Sequence, residues 1–279
     1  MSNVTIKKSK TSAKLASPVQ KASPPSDAEL EIKAEWNPIL AVFLGAVIFF
    51  GAQLLSALIL SYYRYPKHWS AQQLLNWLNN AVSAQFLYYL FAECLVVLAV
   101  YLFVRRYKDG LRAIGLRQPR WFDLVYGLAG LPMYLFSLFV AVTIIQHLVP
   151  SLNVNEKQQL GFNFNNVHGG GETILIFLSL VVLPPIGEEI LFRGFLYSSL
   201  KKNLPKVIAV LATSALFATP HLFEGGSAGL LYIAAIDTFI LSLFLILLRE
   251  KSGGLWSSMI LHALKNSIAF FALFATYIH

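Results

Sequence analysis

Residues 181–197 read VVLPPIGEEILFRGFLY, and the fold turns on how this stretch is taken. Adjacent carboxylates, Glu188 and Glu189, stand inside a run that otherwise suits a membrane-buried or core helix. Ionised side chains in apolar surroundings are costly unless they are paired or solvated. Arg193 follows Glu189 by four residues, with the acid N-terminal, the favourable order for an ion pair on one helix face. Glu188 points about 100° away, without that partner. The preceding Leu183-Pro184-Pro185-Ile186-Gly187 interrupts the helical hydrogen-bond ladder and leaves room for water.

Composition decides between membrane and core. Of 279 residues, 56% are hydrophobic and 13% charged, with a mean hydropathy of +0.60. A soluble domain carries about 25% charged residues. Several apolar runs reach the roughly 20 residues that cross a bilayer. Seven spans are expected, near Pro38–Tyr63, Ala84–Val104, Phe122–Val149, Thr173–Leu200, Pro205–His221, Leu230–Leu248 and Leu255–Ile278. The chain is all-α and polytopic.

The net charge of +8 follows this topology. With the N-terminus cytoplasmic, 18 of the 22 Lys and Arg residues fall on one side, counting Arg193 with the fourth connection. Arg64, Lys67 and Lys157 fall on the other, and Lys265 lies within a span. That is the positive-inside pattern. Basicity of this kind speaks for a lipid bilayer and against nucleic acid.

Three segments divide the chain. Residues 1–35 are rich in Lys, Ser, Ala and Pro without apolar periodicity, and are expected as a disordered basic cytoplasmic tail. They are too polar for a signal peptide, and the lack of Arg before residue 35 speaks against a transit peptide. Residues 36–170 hold the N-terminal membrane helices and loops, including an amphipathic SAQQLLNWLNNAVSAQ suited to the membrane surface or to an outward extension of the second span. Trp121 sits where an interfacial anchor belongs. His168, in a long Gly/Asn loop, reads as a solvated histidine. Cys94 is the single cysteine, so no intrachain disulfide forms, and it is expected as a small buried filler. Residues 171–279 carry the chemistry.

Three polar clusters interrupt those last spans. Beside Glu188, Glu189 and Arg193 come Phe217 and His221 in FATPH, with Pro220 bending the helix ahead of the imidazole. His262 and Asn266, in LHALKN, stand four apart on one face of the last span. At 1.5 Å per residue, Glu188 lies roughly 19 Å from Lys201, His221 roughly 22 Å from Lys206 and His262 roughly 17 Å from Lys251. All three reach a similar depth. A single buried His is more often helix glue, but a carboxylate, two imidazoles and an amide converging near mid-membrane read as a site. Glu93, Asp237 and Lys265 are also mid-span, and Lys265 needs an acid partner, either Asp237 or Glu93.

A carboxylate in a partly desolvated site is a good general base. Imidazole can help hold an attacking water, and His and Asn donors can stabilise an oxyanion. This suits hydrolysis of an amide within the membrane. No serine lies in a nucleophile motif, and Cys94 is outside the clusters, so a directly activated water is preferred to a covalent intermediate. No cofactor is then required. A Zn²⁺ site made of Glu188, His221 and His262 is the alternative, although the HExxH motif is absent.

In order and spacing, Glu188-Glu189-x-x-x-Arg193, Phe217-x-x-x-His221 and His262-x-x-x-Asn266 resemble the CPBP family, the CAAX proteases and bacteriocin-processing enzymes also called Abi. The resemblance covers about residues 171–279. It implies a bundle of about eight membrane helices with a polar intramembrane cavity reaching the cytosol. It also implies that Glu188 activates water with help from His221, that His262 and Asn266 form an oxyanion hole, and that Glu189, Arg193 and Phe217 support them. The expected partner is a membrane-associated peptide or protein substrate, prenylated or a peptide precursor, and the expected location a bacterial plasma membrane. A non-catalytic scaffold or bacteriocin-immunity protein of the same fold is the alternative. A proton-coupled transporter is more distant, since no inverted repeat is visible.

Overall fold

The computed structural model describes residues 34–156, 162, 167, 169–226 and 229–277. The expected tail and His168 therefore lie almost wholly outside the described residues. Among those residues there is no strand, and seven helical stretches are long and apolar enough to cross a membrane. The chain is an integral, multi-pass, all-α membrane bundle.

Helix α1 (Pro38–Tyr62) begins where the Asn37 side chain accepts from the backbone N–H groups of Ile39 and Leu40, supplying partners for donors that no helix turn can satisfy. Its small residues Ala41, Gly45, Ala52 and Ser56 are buried and let it pack along α3 (Val82–Val104). On the opposite side Ile39, Phe43, Val47, Phe50, Leu54 and Leu58 are exposed at helical spacing. Such a stripe would be a liability in water and is the normal outer surface of a bundle in lipid.

The amphipathic stretch becomes a separate helix, α2 (Ala71–Asn80). A reciprocal capping box of Ser70 and Gln73 starts it, and Ala81 in extended conformation splits it from α3. Cys94 corrects the expectation of a buried filler: it is exposed, on the outward face of α3 with Leu98 and Tyr101.

After the short α4 (Gly110–Ala113), helix α5 (Trp121–Leu148) opens beside a polar clamp at the basic end. Arg117 donates to Asp123 and to the Ser252 carbonyl, Ser257 donates to Asp123, and the Trp256 indole donates to the Arg117 carbonyl. The clamp ties the basic loop to the turn between α10 (Tyr232–Ser252) and α11 (Trp256–Tyr277). Gly253, with φ +69°, closes α10 in the left-handed conformation that favours glycine.

The fourth span, Gly170–Asn203, is interrupted near Leu183–Gly187 as its prolines predict, and the interruptions take π-helical form. It runs as α6 (Gly170–Phe177), a π segment (Leu178–Val182), α7 (Leu183–Glu188), a second π segment (Glu189–Leu196) and α8 (Tyr197–Asn203). The first π segment ends two residues before Pro184 and Pro185, whose missing N–H groups disturb the ladder. The second carries Glu189 and Arg193 and is buried at every residue. Arg193 accordingly belongs to the core and not to the basic boundary with which it is counted in the sequence. Trp36 seals this segment from outside, stacking on Phe195 at 5.6 Å and donating to its carbonyl. Helix α9 (Lys206–Ala218) ends before a 3-10 turn, Pro220–Phe223. Around this broken span α3 packs against α7, α11 against the first π segment, and α9 against α10.

Candidate active site

Glu189 lies at the centre of the polar cluster. Arg193 Nη1 donates to Glu189 Oε1 at 2.9 Å, and both side chains are fully buried. The expected pair therefore forms, on a π segment in place of an α-helix. The same oxygen also meets His262 Nδ1, at 3.2 Å. Because Oε1 acts as an acceptor, Nδ1 carries the hydrogen, and Nε2 of a neutral ring presents its lone pair. That lone pair faces Glu188, with Nε2 3.7 Å from Oε2. Glu188 keeps some exposure, 17% of its side chain. The two adjacent carboxylates are thus held on opposite nitrogens of one imidazole.

Phe217 joins the remaining motif residues. The Arg193 guanidinium lies 4.0 Å from its ring centroid, a cation–π contact that occupies the face of a buried cation. The rings of His221 and His262 lie 5.3 and 5.8 Å from it. His221 sits on the 3-10 turn, and its Nδ1 donates to the Phe217 carbonyl at 3.0 Å, since a carbonyl only accepts. Its Nε2 faces Glu224 Oε1 at 3.9 Å. Glu224 escaped the sequence reading; its signal was its position three residues after His221.

Asn266 donates to the Leu180 carbonyl at 2.9 Å. The reason is local: in an α-helix that carbonyl would accept from residue 184, and in a π-helix from residue 185, and both are proline. The Asn266 amide fills the vacancy and keeps a second N–H. Lys265 pairs with Asp237 at 3.2 Å. Glu93 approaches from α3 at Gly187, where a Cβ would fall on its carboxylate. The clefts lined by Trp69, Gln73 and Trp77, and by Leu152, Glu156 and Tyr232, contain none of the motif residues.

Among the described residues no three His, Cys, Asp or Glu side chains are grouped so as to hold a metal ion. His221 Nδ1 and His262 Nδ1 are engaged by the Phe217 carbonyl and Glu189, and the remaining nitrogen of each faces a different acid, Glu224 or Glu188.

No curated protein and no solved structure matches the chain significantly. A family model does, over residues 170–268, and its description is type II CAAX prenyl endopeptidase Rce1-like. That stretch contains all seven motif residues and bears out the resemblance read from them. The membrane segment built on the fourth span and its partners, residues 170–268, is therefore similar to the type II CAAX prenyl endopeptidases of the Rce1-like family.

Proposed function

We propose that the protein hydrolyses a peptide bond of a membrane-associated substrate by water that Glu188 activates, without a covalent intermediate or a required cofactor. The observation that carries this reading is the pair of acceptors, Glu188 Oε2 and His262 Nε2, held 3.7 Å apart. One water can donate to both at ordinary hydrogen-bond lengths. The family resemblance gives the water-holding role to His221, whereas the distances favour His262. Glu189 and Arg193 fix the His262 ring and its tautomer.

The water oxygen bonds to the substrate carbonyl carbon while one proton passes to Glu188. The free N–H of Asn266 donates to the resulting oxyanion. Collapse of the tetrahedral intermediate breaks the C–N bond, and Glu188 returns its proton to the leaving amine. His221, across Phe217 from His262, lines the approach. The orientation that suits this chemistry has the basic ends of the helices and the N-terminus in the cytoplasm, with entry to a polar cavity from that side. The family description supports a prenylated C-a-a-X tail as substrate class.

Comparison of membrane-protein termini by mass spectrometry, in host cells carrying the wild-type chain or Glu188→Gln, tests the reading. New termini present with the wild type and lost in the variant at equal protein level are expected. Identical termini in the two would overturn it and favour a scaffold role.

A further inference from the structure

Arg193 and Lys265 are the Lys and Arg residues that, among the described residues, lie within the spans and away from both of their ends. Arg193 is sealed: no part of its side chain is exposed, and it serves Glu189 and Phe217. Lys265 differs. It retains 20% side-chain exposure, and its ion pair to Asp237 Oδ2 at 3.2 Å engages one of three ammonium protons. Tyr134 from α5 donates to the other Asp237 oxygen. Asp237 is thereby held from two helices and in turn aims the Lys265 ammonium. Around it the site is acidic, with Glu188, Glu189, Glu93 and Glu224, and Lys265 lies within electrostatic reach of Glu188, His221 and His262.

A C-a-a-X substrate ends in a carboxylate that has to enter this acidic, poorly solvated region with the scissile bond. Such a charge is costly unless it meets a cation. We infer that Lys265, oriented by Asp237 and Tyr134, binds the free C-terminal carboxylate of the substrate peptide. The reach agrees. Lys265 stands three residues beyond His262, about 4.5 Å of helical rise, with a four-carbon arm to add, and an extended three-residue leaving peptide spans about 10 Å. The assignment rests on the endopeptidase reading and goes further, since it selects substrates cut close to their own C-terminus. Internal peptide bonds of a membrane helix carry no such charge.

The test uses the full chain in lipid nanodiscs with Glu188→Gln as background, so that bound peptide is not turned over. Its probes are a farnesylated C-a-a-X peptide as free acid and as C-terminal amide. The acid is expected to bind about 10- to 100-fold more tightly, the span of one charge-assisted contact. Adding Lys265→Met should reduce this ratio to near one, and Lys265→Arg should retain most of it. Lys265→Met combined with Asp237→Asn must behave like Lys265→Met, which separates a lost anchor from a stranded Asp237. Equal binding of acid and amide before any change at residue 265, or a ratio that survives both Met variants, would overturn the assignment. Wild-type chain that cleaves neither peptide would instead count against the endopeptidase reading, and the binding ratio would still decide the role of Lys265.

Discussion

At the scale of residues, the site is built on one imidazole, His262, standing between two acids, Glu188 and Glu189. The four-residue spacing of Glu189 and Arg193 makes their ion pair legible in the sequence, and the pair forms at 2.9 Å. That His262 bridges Glu188 and Glu189, and that Phe217 stacks beneath Arg193, was not legible. Both are contacts between helices far apart in the chain, which local spacing does not encode. A prediction follows from the burial of the pair. Arg193→Met leaves Glu189 buried without its cation and should cost about 3–5 kcal/mol. The double variant Arg193→Met with Glu189→Gln removes both charges and should recover most of that loss. Denaturation in mild detergent reads both; a double variant no more stable than Arg193→Met would show that the charge pair is not what stabilises this segment. Activity should stay low in both, because His262 loses the carboxylate that orients it.

At the scale of elements, the apolar runs locate the spans to within a few residues: Trp121–Leu148 against an expected Phe122–Val149, for instance. The interior of the fourth span was less accessible. Pro184 and Pro185 announce a break, yet i→i+5 bonding has no residue signature of its own, and the segment from Glu189 to Leu196 contains no proline at all. Its π geometry accompanies tertiary constraints: the paired Glu189 and Arg193 inside and Trp36 outside. Close approach of α3 to α7 depends on Gly187, which admits the Glu93 carboxylate. Gly187→Ala should therefore lower stability by about 1–3 kcal/mol, the usual penalty for overpacking. Glu93→Ala in the same chain should give that stability back. A Gly187→Ala chain as stable as the wild type would mean that the glycine is dispensable for this packing.

At the scale of the whole molecule, composition and the asymmetry of Lys and Arg announce a multi-pass bundle, and the seven spans agree. The lipid-facing stripe on α1 and the exposed Cys94 belong to the same surface logic, although the sequence alone could not say which way Cys94 faced. The orientation proposed here can be checked in a Cys94→Ala chain carrying single cysteines. Lys67→Cys should react with a membrane-impermeant thiol reagent in intact cells, and Arg112→Cys after permeabilisation. The reverse pattern would invert the topology. The most direct measurement of the central claim uses purified chain in proteoliposomes with a farnesylated C-a-a-X peptide, in the presence of a strong divalent-metal chelator. The wild type should release the C-terminal peptide, while Glu188→Gln, folded and equally stable, should release none. Cleavage by Glu188→Gln at a rate near that of the wild type, or loss of wild-type cleavage to the chelator with recovery on adding Zn²⁺, would contradict the account.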